Sequence, residues 1–116
     1  MSNNDLNRLR HIRDASEKIL QITLNKSLED FIEDELISLA SIHLIEIIGE
    51  AANDISSLIV ESHPEVPWTS IIGMRNRLIH KYYDINLEIV WNTIIKDIPS
   101  LFEKINEIIA SLENSE

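Results

Sequence analysis

What this sequence lacks is chain breakers. Its 116 residues include two glycines, Gly49 and Gly73, and three prolines, Pro64, Pro67 and Pro99. A many-stranded β fold turns every several residues and draws on glycine and proline to do so. So sparse a supply points to long helices with short connections, and the apolar pattern agrees. Leu9, Ile12, Ser16, Ile19 and Leu20 recur at three- and four-residue steps, which predicts a helix over 6–24. Ser27 reads as an N-cap, with Glu29 and Asp30 in the following turn where the helix dipole favours acids. A short helix then ends near Asp34, which is placed to cap the next one.

The period over 35–60 is helical and apolar on two sides. Leu36, Leu39, Ala40, His43 and Ile47 lie on one, and Ile42, Ile45, Ile48 and Ile59 on the other. A helix of that kind is buried on more than one face, either centrally or at an oligomer interface. Gly49 inside it costs about 1 kcal/mol relative to Ala, so its presence implies close approach of another helix. Pro67 fits the first turn of a helix over 68–82. Asn86 caps a last helix over 87–112, which Pro99 should kink, and 113–116 should fray. The expectation is a single all-α domain over 1–116. It would be an antiparallel helical bundle of four main helices plus a short one.

Charge and composition narrow the function. There is no cysteine, hence no disulfide, zinc-thiolate site or cysteine nucleophile. No apolar run approaches membrane-spanning length and the N-terminus is polar, so a cytoplasmic protein is expected. A net charge of -10 argues against a general nucleic-acid binder. The charges are also segregated. No Lys or Arg occurs between Ser27 and Met74, a span that carries ten acidic residues. Just beyond it Arg75, Arg77 and Lys81 come together. A local cationic site on an acidic body follows, and the body itself could face a basic partner.

That site is the stretch 73–83, which holds three cations, His80, Asn76, Tyr82 and Tyr83 with no acid among them. On a helical wheel Arg75 lies on the apolar side, Asn76, His80 and Tyr83 form a polar stripe, and Arg77 and Lys81 a basic flank. Arg75 and His80 fall about 140° apart on an ideal helix. They meet over one ligand only if Arg75 reaches around or a second copy of the helix supplies the missing half, as in a two-fold dimer. Arg offers a planar fork to phosphate oxygens, His exchanges a proton near neutral pH, and Asn holds a water or hydroxyl. Those are the parts of a metal-independent ribonuclease, in which no cofactor is expected. His43, Glu46 and Glu50 share a helix face but read as structural, since no second-helix ligand joins them. Glu50 is expected to pair with a motif arginine across the Gly49 contact.

Arg75, His80 and Tyr82 in this spacing resemble the R-x4-H-x-Y signature of HepT-like toxins in the HEPN superfamily. The resemblance extends to the blocks at 47–52, 64–68, 73–80 and 87–91, in family order. It implies a homodimer with motifs facing across a cleft, and an RNase toxin acting on RNA through Arg75 and His80 with Asn76 assisting. Arg77, Lys81, Tyr83 and Glu50 would support them. It also implies a minimal nucleotidyltransferase (MntA-like) antitoxin that transfers AMP from ATP to Tyr82. Two other readings stay open: a non-catalytic helical partner that is mainly the substrate of such a transferase, and a nucleotide-binding protein that grips phosphates without cutting.

Overall fold

The computed structural model describes residues 3–80 and 84–114. Lys81, Tyr82 and Tyr83 lie outside the described residues. Among those described there are seven helices: α1 (Asn3–Ile22), α2 (Leu28–Glu33), α3 (Glu35–Asn53), α4 (Ser57–Ser62), α5 (Trp68–His80), α6 (Leu87–Lys96) and α7 (Ile98–Asn114). No strand is present among them. None of the described helices is long and apolar enough to cross a membrane.

Helix α3 is the central element. It packs against α1 on one flank and α5 on the other, and α1 in turn packs on α7. Helix α2 bridges α3 and α6. Leu9, Ile12, Ile19, Ile45, Ile48, Ile98, Leu101 and Ile105 fill the core between the long helices, each essentially without solvent contact. Phe31 and Trp91 meet with ring centroids 5.1 Å apart, tying α2 to α6. Both tryptophans are buried, as helix-face positions predict.

The caps follow the local chemistry. Ser27 and Asp30 form a reciprocal capping box on α2: the Asp30 amide donates to Ser27 Oγ at 3.1 Å and the Ser27 amide to Asp30 Oδ2 at 3.0 Å. Those bonds, the backbone one above all, hold the Asp30 carboxyl below its usual range. Asp34 accepts from the amides of Leu36 and Ile37, and Asn86 from those of Glu88 and Ile89.

The expected helix bounds need correction. The helix predicted over 35–60 is two, because the chain breaks at 54–56. The break is held from afar: Asp5, buried on α1, accepts from the Ser56 amide at 3.0 Å and from Ser56 Oγ at 2.7 Å. The helix predicted over 87–112 is also two. The interruption falls at Asp97, two residues before Pro99; Asp97 closes α6, and Pro99 stands at the second position of α7, where its missing N–H has no partner to lose. Helix α7 then continues to Asn114, beyond the predicted fraying point, and Glu113 pairs with Arg10 at 2.9 Å. The two apolar faces of α3 differ in burial within the protomer. Ile42, Ile45 and Ile48 are buried, while Leu36 is 81% and Leu39 55% exposed, with Ala40, His43 and Ile47 beside them.

The Asp5 latch makes a prediction. Asp5→Ala strands the Ser56 amide and should destabilise the protein by about 1–3 kcal/mol. Ser56→Ala, which keeps the amide, should cost less. Urea unfolding of the two variants checks the order.

Candidate active site

The site is built on α5, whose entry is fixed first. Trp68 is buried, and its Nε1–H donates to the His63 carbonyl at 2.9 Å. Lys104, reaching from α7, donates to the Glu65 carbonyl at 2.6 Å. The 63–67 connector is thus held from two sides. The Pro67 carbonyl accepts the first intrahelical bond, from the Ile71 amide, which puts Pro67 at the cap one position before the predicted first turn. Ile71 and Leu78 then bury the inner face of α5, each side chain contributing roughly 1.5–3 kcal/mol.

Gly49 sets how closely α5 lies on α3. A Cβ at Gly49 would collide with Cβ of Arg75 and come within 2.7 Å of its Cγ and 3.3 Å of the Ile71 carbonyl. The Arg75 stem therefore rests on bare α3 backbone. Its guanidinium is held at both ends: Nη2 donates to Glu50 Oε2 at 2.8 Å and Nη1 to Asn76 Oδ1 at 2.8 Å. The pairing of Glu50 with Arg75 expected from the sequence is present. Glu50 is 63% exposed in this pair, so the ion pair stabilises by no more than about 1 kcal/mol. Its consequence is geometric, since it aims the fork. The Nε–H of Arg75 is buried and has no partner among the described residues.

The structure brings Glu50, Arg75 and Asn76 together. It does not bring His80 or Arg77 to them. Both are exposed on α5, His80 as its last residue, and no side-chain hydrogen bond or ion pair joins either to another described residue. The wheel separation of Arg75 and His80 is thus realised within one protomer. Lys81, Tyr82 and Tyr83, outside the described residues, carry no geometry here. Gly73 is exposed, and a Cβ there would meet nothing within 4 Å. His43, Glu46 and Glu50 line a groove with Arg8 and His11 of α1, and no set of three or more potential metal ligands occurs among the described residues.

A groove that the sequence did not suggest runs beside the site, between α5 and the start of α6. Its signal was slight: Ile85 is an apolar residue between two turn formers, and Ile89, near the start of α6, is 38% exposed.

Comparison with known proteins gives a consistent answer. The family described as Ribonuclease HepT-like matches residues 12–108. A protein of Caldanaerobacter subterraneus subsp. tengcongensis named "Putative RNase" is 40% identical over 101 residues, covering 87% of this chain and 90% of its own. One of Thermococcus cleftensis named "Probable ribonuclease HepT" is 39% identical, covering 85% of this chain and 93% of its own. A "Putative RNase" of Methanocaldococcus jannaschii is 32% identical, covering 90% and 87%. No solved structure matches.

The close approach at Gly49 is testable without any assay of function. In a free helix Gly→Ala would stabilise by about 1 kcal/mol. Here the new methyl meets the Arg75 stem and backbone of α5, so Gly49→Ala should destabilise by about 1–3 kcal/mol. A melting temperature that rises in Gly49→Ala would contradict the contact.

Proposed function

Since the chain belongs to the ribonuclease HepT-like family, we propose that it is the toxin of a toxin–antitoxin pair, a metal-independent endoribonuclease working as a homodimer. The observation that carries this reading is the Glu50–Arg75–Asn76 chain, a guanidinium aimed by two side chains on the helix that also ends in an exposed histidine, His80. In the proposed reaction the RNA 2′-oxygen attacks the adjacent phosphorus. The P–O2′ bond forms and the P–O5′ bond breaks, leaving a 2′,3′-cyclic phosphate and a free 5′-hydroxyl. His80 takes the 2′-hydroxyl proton or supplies one to the leaving 5′-oxygen. Arg75 neutralises charge that builds on the phosphoryl oxygens, using N–H groups not given to Glu50 and Asn76. Asn76 keeps its amide N–H donors for a substrate oxygen.

The dimer supplies what one protomer separates. The outward face of α3, with Leu36, Leu39, Ala40, His43 and Ile47, is apolar and uncovered. Gly73 leaves room for a close helix about two turns before His80. Packing of a second copy there would bring one protomer's His80 towards the other's Arg75.

Tyr82 is the proposed point of control, on its motif position. A minimal nucleotidyltransferase antitoxin (MntA-like) would join the Tyr82 phenolic oxygen to the α-phosphorus of ATP, with loss of the phenolic proton and departure of pyrophosphate. The AMP group would place negative charge and bulk beside the site and exclude an anionic substrate.

Purified protein should cut RNA in EDTA. His80→Ala should lower the rate by about 10²–10⁴-fold with little change in stability, since the side chain is exposed. Equal cleavage by wild type and variant would remove His80 from the chemistry. Gly73→Phe should leave the protomer folded, yet give a monomer in sedimentation and lose cleavage; a dimer that persists places the interface elsewhere. With the transferase and ATP, a mass gain in multiples of AMP should appear and vanish in Tyr82→Phe.

A further inference from the structure

The groove between α5 and α6 has about 310 Å³ of space, at the lower end of the range for small-ligand sites. Met74, Leu78, Ile85, Ile89 and Val90 wall it. Leu78 and Val90 form a buried floor, and Ile89 stands partly in solvent. An apolar concavity that the described residues leave open is an unmet opportunity for burial. The rim is polar: Arg77, Asp84 and Asn86. Asn86 spends its Oδ1 on the amides of Glu88 and Ile89, which leaves its amide N–H groups as donors. Arg77 offers donors only and Asp84 is an acceptor. Apolar walls with donors and an acceptor along one edge match a flat heteroaromatic ring that has apolar faces and a mixed polar edge.

Arg77 relates the groove to the reacting centre. It is exposed, lines the groove, and stands one turn before His80 on the same side of α5. A chain with a net charge of -10 gains little from long-range attraction to a polyanion. Contacts to bases can supply what phosphate contacts here do not. We infer that the α5–α6 groove is a nucleobase subsite, taking one base of the RNA whose scissile phosphate lies at Arg75 and His80. The inference rests on the ribonuclease reading for the identity of the substrate. The groove itself is tested apart from it.

Two experiments decide. Wild-type protein with labelled Ile, Leu, Val and Met methyls is titrated with each of the four ribonucleoside 5′-monophosphates and with ribose 5-phosphate. The nucleotides should shift the Ile85 and Ile89 methyls and ribose 5-phosphate should not. Equal shifts, or none, overturn the subsite. RNA substrates with a single abasic nucleotide are then cut by wild type and by Ile89→Glu. At one position beside the cleaved phosphate the missing base should lower wild-type kcat/KM by about tenfold or more. Ile89→Glu should cut intact and abasic RNA alike. Insensitivity to the missing base at every position overturns the proposal. If no RNA is cut at all, the ribonuclease reading falls, and the methyl titration still decides whether the groove takes a base.

Discussion

The crossing of α5 over α3 at Gly49 is the contact on which the site depends. A side chain there would hold the helices apart, and the Arg75 stem would lose the backbone it lies on. Because Glu50 follows Gly49 directly, the same approach that seats the stem presents a carboxylate to the guanidinium. The energetic order matters. The ion pair is too exposed to hold α5 in place, whereas Ile71, Leu78 and Trp68 are buried and do so. Packing positions the helix, and the ion pair orients the arginine within that frame.

Helix α3 divides the molecule electrostatically as well as sterically. Its buried face is aliphatic with small residues, Ser38, Ser41, Gly49, Ala51 and Ala52, where neighbours come close. Its outer face begins apolar at Leu36 and ends acidic at Glu46, Glu50 and Asp54, beside Arg8 and His11 of α1. The carboxylate that aims Arg75 therefore belongs to a mixed-charge surface. A phosphate approaching Arg75 meets a cation already partly neutralised. Binding there depends on direct, short-range contact more than on attraction from a distance.

The sequence was informative wherever the determinant is local. Helical periodicity, the Ser27, Asp34 and Asn86 caps and the meaning of Gly49 all depend on neighbours a turn or two away, or on a residue type with one plausible use. The breaks were hidden because they are set at long range. Nothing around Ser56 reveals that Asp5, 51 positions earlier, will take its amide. Pro99 was legible as a disruption, but whether it kinks a helix or begins a new one depends on where Asp97 closes α6. The two apolar faces of α3 have the same period, so their pattern could not say which one α1 and α5 would cover. For the site, the Arg75–Glu50 contact could be anticipated from Gly49. The α5–α6 groove could not, because a concavity is a property of how two helices diverge.

The angular distance between Arg75 and His80 turns from an obstacle into a constraint on mechanism. Both sit on α5, and helical geometry sets them about 140° apart. Arg75 is further restrained by Glu50, Asn76 and the α3 backbone. On the proposed mechanism, an active centre that uses both would be closed by something outside the protomer. In the proposed homodimer a symmetric pair would close it twice, placing two arginines and two histidines around one cleft. A single cut needs only one proton taken and one returned, so the pair could share acid and base roles between the two histidines. Under that arrangement activity rises with dimer formation even though every side chain involved is already folded in the monomer. Association would then be part of the chemistry, since it would complete a site whose two parts are both carried on α5.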